Sequence, residues 1–161
     1  MIEMTLGFLF DRRYRHVLLI KKRHPEWQAG LYNGVGGKFE NVDQGQPFKC
    51  MCREAEEELG IYTIGWRPYC VMEIMVMRPT DSDRFAETKR IHVFAVSNDF
   101  WFDQFEQRTD EKPQIFKLDN TLHSSAELID YSKCIPNLCW LLQMAQDTSI
   151  DPAKPLLIQY A

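Results

Sequence analysis

The stretch from Pro47 to Gly60 constrains this chain most, because its residues specify a helix with two very different faces. Pro47 suits a first helical turn, where a missing N–H costs nothing, and Gly60 suits a C-terminal stop. At about 100° per residue, Glu54, Glu57 and Glu58 fall at i, i+3 and i+4 on one narrow face. Phe48, Met51, Cys52, Ala55 and Leu59 gather on the other side as a stripe for a core, while Lys49 and Glu56 point to water. Like charges at such spacings cost about 0.2–0.5 kcal/mol per pair on an open helix, and more when partly desolvated. A glutamate run usually marks a solvated face. Here the helix follows a glycine-rich segment: Gly30, Gly34, Gly36, Gly37 and Gly45, five of the eight glycines, precede it. An all-oxygen carboxylate cluster is what Mg²⁺ or Mn²⁺ prefers, and a carbonyl from a nearby glycine turn could complete the shell.

The remaining elements follow from periodicity. Thr5–Phe10 and His16–Lys21 read as a hairpin across the polar Asp11–Arg15. Val71–Met77 and Ile91–Val96 read as paired strands joined by the polar segment Arg78–Arg90, and Ile115–Leu118 as a short strand. Ile135, Leu138, Cys139 and Leu142 repeat at helical spacing, which predicts a helix over Ile135–Ala145. No repeat or linker divides the chain, so residues 1–161 are expected to form a single domain of mixed α/β (α+β) class, a mixed sheet flanked by helices.

Composition bounds the function. With 19 Lys+Arg against 23 Asp+Glu, the formal net charge of −4 disfavours a grip on a nucleic-acid polymer, which needs a basic stripe. No apolar stretch approaches the roughly 18 residues of a membrane span, and the short run Leu6–Phe10, ended by Asp11-Arg12-Arg13, is no secretory signal. Five cysteines at irregular spacing do not form a disulfide framework. Cys50 and Cys52, two apart on a helix, point to different sides and have no zinc-spaced partners. These features predict a cytoplasmic protein without membrane or nucleic-acid partners. Its oligomeric state is open, a homodimer among the options.

Gly36-Gly37-Lys38, followed by Arg53-Glu54-Ala55-Glu56-Glu57-Glu58-Leu59-Gly60-Ile61, resembles the Nudix box, Gly-x5-Glu-x7-Arg-Glu-U-x-Glu-Glu-x-Gly-U with U aliphatic. The second half matches, with Ala55 at the first U. The first half departs twice. Gly37 to Arg53 is two residues longer than the signature, and counting from Gly37 to the first Glu reaches Asp43. In the family that Glu pairs with the box Arg, so Arg53 is expected to have a different partner here. The resemblance implies a Nudix-type α/β/α sandwich with a mixed central sheet. It also implies a metal-dependent hydrolase of a nucleoside diphosphate linked to another group.

Carried over residue by residue, the resemblance makes Glu54, Glu57 and Glu58 ligands of Mg²⁺ or Mn²⁺, with the Gly36 carbonyl beside them and Arg53 supporting the loop. Water attacks phosphorus, and its general base is Glu57, Glu58 or a carboxylate from a later loop, best Glu111. Lys38 and one of Lys21, Lys22 and Arg23 are phosphate contacts.

The stretch Leu19-Ile20-Lys21-Lys22-Arg23 with Leu31-Tyr32-Asn33-Gly34-Val35-Gly36-Gly37-Lys38 is similar to the MutT-like branch, in which an Asn at the position of Asn33 faces a purine. Asp130 is a possible second base reader, although the Trp-rich segment of that branch is missing around it. Trp27 and Tyr32 could stack on a base or pack on the sheet, and Phe100-Trp101-Phe102 with Phe105 either lid the pocket or cover a sheet edge. Markers of NADH pyrophosphatases, ADP-ribose hydrolases and dinucleoside polyphosphate hydrolases are absent. Elimination favours a nucleoside triphosphate, an oxidised or modified purine among the candidates, cleaved to monophosphate and pyrophosphate. The alternatives are another nucleoside diphosphate derivative, or a nucleotide-sensing module with weak turnover.

Overall fold

Alternation along the central strands sorts the apolar side chains into two layers. A computed structural model describes residues 1–79, 84–102, 104–120 and 124–160. Among these, the order is β1 (Ile2–Phe10), β2 (His16–Lys21), β3 (Tyr32–Asn33), α1 (Pro47–Leu59), β4 (Arg67–Pro79), β5 (Arg84–Ser97), α2 (Asp99–Phe102), β6 (Lys112–Lys117), β7 (Glu127–Leu128), α3 (Leu138–Gln146) and β8 (Leu156–Tyr160). One sheet runs β7-β6-β2-β1-β5-β4-β8, with β3 on β2. It is mixed: β1–β5, β4–β8 and β6–β7 are parallel, and β1–β2, β2–β6 and β4–β5 antiparallel.

Since successive strand residues face opposite sides, Phe8, Phe10, Val17, Leu19, Val93 and Ala95 pack with Leu138, Leu141 and Leu142 of α3. Leu9, Leu18, Ile20, Phe94 and Val96 pack with Met51, Ala55 and Leu59 of α1. The result is the α/β/α sandwich, with each fully buried Leu or Phe contributing about 1.5–3 kcal/mol. Arg67 Nη2 donates to the Ala145 carbonyl at 2.6 Å, placing a cation at the negative end of α3.

Helix α1 has its anticipated bounds, with Pro47 in the first turn and Gly60 left-handed at φ 69°. Its buried stripe is rotated from the expected one. Cys50 is buried against Thr5, Sγ to Oγ1 3.3 Å, whereas Phe48 is 39% exposed. The Arg78–Arg90 segment was expected to be a connection, yet β4 and β5 extend into it from both sides, and only residues 80–83 fall outside the described chain. At the C-terminal end of the segment Arg90 pairs across the strands with Glu73 of β4, its Nε donating to Glu73 Oε1 at 2.8 Å. Helix α3 starts at Leu138 rather than Ile135; the Ile135 N–H donates to the Tyr32 carbonyl at 3.0 Å, which ties the segment before the helix to β3. Strand β8 was not anticipated from sequence. Phe105 packs against the α1 layer and Phe100 is 54% exposed; the side chains of Trp101 and Phe102 lie outside the described residues. All five cysteines are free thiols. Among the described residues no helix is long and apolar enough to cross a membrane.

Candidate active site

Strands β1 and β2 pair only near their turn, at Leu9–Leu18 and Phe10–Val17. Where they splay apart, the glycine segment fills the gap: Gly7 N donates to Val35 O at 2.7 Å and Thr5 N to Gly37 O at 2.9 Å. Gly36 sits at φ +144°, and a Cβ there would lie 2.3 Å from the Thr5 carbonyl oxygen, so the position requires glycine. A Cβ on Gly37 would lie 2.5 Å from Glu54 Oε1, and Gly36 N donates to Glu58 Oε2 at 3.0 Å. The turn backbone is thereby held against the acidic face of α1.

These contacts separate two predictions. Gly36→Ala should destabilise by more than about 2 kcal/mol, because backbone must move. Gly37→Ala should shift stability by less than about 1 kcal/mol, because a flexible carboxylate can swing away. It should still abolish any rise in melting temperature on addition of Mn²⁺. Thermal melts with and without Mn²⁺ check both.

Glu54 and Glu58 are each 12% exposed at the side chain, while Glu57 is 56% exposed. Burial, reinforced by the Glu58 and Glu57 charges and opposed by Arg53, pushes the Glu54 carboxyl up to about 7. Glu58 is also raised, chiefly by burial, against the lowering effect of Lys22. Among the described residues no group of three or more His, Cys, Asp or Glu side chains is gathered tightly enough to hold an ion as it stands. Cations of the protein lie between the carboxylates instead: Arg53 Nη1 is 2.9 Å from both Glu54 Oε1 and Glu57 Oε2, and Lys22 Nζ is 3.1 Å from Glu58 Oε1. The donor set nonetheless fits a hard divalent cation. It offers only oxygen, the missing Cβ of Gly37 leaves room at Glu54, and no described group donates to the Gly36 carbonyl.

Arg53 was expected to find a partner other than the signature Glu, and that partner is Asp43. Nε donates to Asp43 Oδ1 at 3.0 Å and Nη2 to Oδ2 at 2.9 Å, a bidentate fork. Asp43 is buried, ends the 3-10 turn Asn41–Asp43, and accepts from Glu40 N at 2.7 Å. Gln44 at φ 53° and Gly45 at φ 69° then reverse the chain, so the longer loop is absorbed after the pair. The guanidinium holds the Asp43 carboxyl below its ordinary range.

The Lys21-Lys22-Arg23 trio, equivalent in sequence, is divided by the strand. Lys22 is buried, and its Nζ bridges Glu58 Oε1 at 3.1 Å and Glu111 Oε2 at 2.7 Å. Burial alone would lower its pKa, but the Glu58 and Glu111 carboxylates outweigh that and raise it. Glu111, predicted from a distant loop, is thus brought beside α1, its other oxygen accepting from Arg23 N at 2.9 Å. Lys21 turns to the opposite sheet face, 5.8 Å from the Tyr32 ring, and shares a cleft there with Asp130 and Lys133. Asn33 lines a different cleft, with Lys22, Gly34 and Gly36, and its Oδ1 accepts from Gly34 N at 2.9 Å. The structure therefore separates Asp130 from Asn33. Lys38 is exposed and its carbonyl accepts from Arg53 Nη2 at 3.1 Å; Trp27 is 63% exposed on a 3-10 turn. Lys22 as a bridge between two carboxylates had no distinct signal in the sequence.

The sandwich, the splayed β1–β2 pair and the glycine turn docked on α1 are those of the Nudix fold. Solved structures that share it with this chain include the following three. The mutator MutT protein from Bacillus halodurans superposes with a TM-score of 0.59 at 16% identity, over 100% of this chain and 91% of that one. The NUDIX domain of Shewanella oneidensis NrtR, complexed with ADP ribose, gives 0.56 at 14% identity over 90% and 86%. The C. elegans Ap4A hydrolase gives 0.52 at 11% identity over 89% and 94%. No protein-family model and no curated protein matches the chain in sequence.

Proposed function

We propose that this chain is a Nudix nucleotide pyrophosphohydrolase. It cleaves the α–β anhydride bond of a nucleoside triphosphate, with modified purines as candidates, and releases monophosphate and pyrophosphate. The observation that carries this reading is the Glu54–Glu57–Glu58 face closed over the Gly36–Gly37 turn, with Glu54 held near neutrality by its surroundings. The MutT-like stretch Leu31–Lys38 supports the triphosphate as substrate, and the MutT structures share the fold.

Glu54, Glu57, Glu58 and the Gly36 carbonyl would hold Mg²⁺ or Mn²⁺. Such ions, when bound, would supply positive charge to the phosphate oxygens and would lower the pKa of the attacking water. Glu111 takes the proton from that water as its oxygen bonds to phosphorus and the bond to the departing pyrophosphate breaks. Lys22 orients Glu111 and Glu58 towards each other through its two ion pairs. Arg53, fixed by Asp43, steadies Glu54 and Glu57. Asn33 reads the base edge through its amide, and Lys38 contacts phosphate. The free thiols suit a reducing, cytoplasmic setting.

The test is pyrophosphate release from a nucleotide panel with Mg²⁺ or Mn²⁺. Glu111→Gln should lower kcat at least about 100-fold while preserving the Mn²⁺-induced rise in melting temperature, whereas Glu58→Gln should lose both. Absence of turnover on every nucleotide overturns the reading. A second reading, a nucleotide-binding module, is favoured by the likeness to the NrtR domain complexed with ADP ribose; tight ADP-ribose binding without hydrolysis would establish it instead.

A further inference from the structure

The last turn of α1 carries Glu56, Glu57 and Glu58 and no lysine or arginine. That is the wrong charge for a helix C-terminus, where the dipole is negative and the final carbonyls lack partners within the helix. The missing partners come from a distant segment. Glu106 N donates to Leu59 O at 2.9 Å and Arg108 N to Glu58 O at 3.3 Å. Arg108 Nη1 donates to Glu56 O, 52 positions back, at 3.4 Å. The same guanidinium lies on the bare side of Gly60, where a Cβ would stand 2.7 Å from Arg108 Nε. Gly60 therefore ends the helix and also leaves the seat in which Arg108 rests. Phe105, packed against the α1 layer, anchors the start of the segment.

Only Thr109 and Asp110 separate Arg108 from Glu111. Thr109 Oγ1 accepts from Glu111 N at 3.2 Å, which tightens this link, and the Glu111 carboxylate then reaches Lys22 at 2.7 Å. On its other side β6 begins at Lys112, held by β2. Glu111 is thus suspended between a strand and the seated Arg108. The Arg23–Asp110 pair adds little, being 61% and 59% exposed, and the pair of Arg108 with Glu106 at 3.4 Å stays within the segment. We infer that Arg108 is a positioning residue: by fastening residues 105–111 to the C-terminal carbonyls of α1, it fixes the Glu111 carboxylate beside the face that carries Glu54 and Glu58. Its consequence for turnover rests on the hydrolase reading with Glu111 as the base; the fastening does not.

The experiment compares Arg108→Gln and Arg108→Lys with Arg13→Gln, which removes the same charge from an exposed position elsewhere. Amide hydrogen exchange over residues 105–111 should rise at least about tenfold in Arg108→Gln and stay at the parent rate in the β1–β2 hairpin. Arg108→Lys, which keeps a cation at the helix carbonyls, should remain within about threefold of the parent. In turnover of a nucleoside triphosphate, Arg108→Gln should lower kcat at least about tenfold with KM within about twofold. Arg108→Lys should recover most of that kcat, and the melting response to Mn²⁺ should be that of the parent in every variant. Unchanged exchange in Arg108→Gln, or a loss of kcat equalled by Arg13→Gln, overturns the proposal. Faster exchange at unchanged kcat overturns the positioning role, as does a rise in KM at constant kcat, which would place Arg108 on the substrate. If the parent protein turns over no nucleotide and exchange of residues 105–111 still depends on Arg108, the fastening stands. In that case the hydrolase reading and the catalytic consequence fall together.

Discussion

Glu54→Gln should lower pyrophosphate release at least about 100-fold, roughly 2.7 kcal/mol of transition-state stabilisation, while making the metal-free protein more stable at pH 8. The two effects share one cause. Glu54 is buried beside Glu58 and Glu57, and its carboxyl is raised from the ordinary 4.5 to about 7. A raised carboxyl means that the native state binds more protons than the unfolded chain between these values, so stability falls as pH rises through that window. The whole shift would correspond to about 3 kcal/mol at 1.36 kcal/mol per unit; solvent screening at the site reduces the expected effect to on the order of 1–2 kcal/mol. Melting temperatures between pH 5 and pH 8 should therefore decline more steeply in the metal-free parent than in the variant, in which Glu58 keeps its raised carboxyl. Mn²⁺ should restore the parent above pH 7 and leave the variant unmoved. A Glu54→Gln protein that keeps its turnover would remove this carboxylate from the metal-holding set.

Asp43→Asn should cost about 3–5 kcal/mol, or about 6–20 °C in melting temperature for a chain of this size. Arg53 is 15% exposed and Asp43 2% at the side chain, so the neutral amide removes the bidentate anion from Nε and Nη2 and leaves the guanidinium its Nη1 contacts with Glu54 and Glu57. The amide also presents one N–H₂ group towards a donor. Because the guanidinium lowers the Asp43 carboxyl, its contribution is complete above the unfolded carboxylate pKa and disappears as pH falls through the lowered native value. Parent and variant should converge in acid and differ most near neutrality. Denaturant unfolding at a series of pH values measures this. A pH-independent gap would mean that packing, and not charge, holds the pair.

How much of this was legible beforehand depends on the range of the interaction concerned. The helix Pro47–Leu59, its glycine stop and the clustering of Glu54, Glu57 and Glu58 follow from the 3.6-residue period and local capping, which act within a few residues. The stripe beneath was less well defined, because Phe48 and Cys50 both flank it and only the Thr5 hydroxyl opposite selects Cys50. Strands β4 and β5 outran their apolar runs because cross-strand partners such as Glu73 and Arg90 satisfy polar residues that look like loop in isolation. Strand β8 becomes a strand only by lying beside β4. The longer glycine-to-arginine spacing hid the Asp43–Arg53 pair, since the number of intervening residues does not fix the geometry of a loop.

The sequence by itself determined the acidic face, the glycine turn before it and the mixed, two-layered covering of the sheet, because amphipathic period and turn chemistry are local and repeat along the chain. Tertiary structure decided which lysine of the Lys21-Lys22 pair meets the glutamates. Adjacent residues at the end of a strand point to opposite faces, and only the pairing of β2 with β1, β3 and β6 fixes which face is which. The same pairing set Lys112 opposite Lys21 and brought Glu111 to Lys22, contacts between residues some ninety positions apart, |i−j| = 89 for the latter.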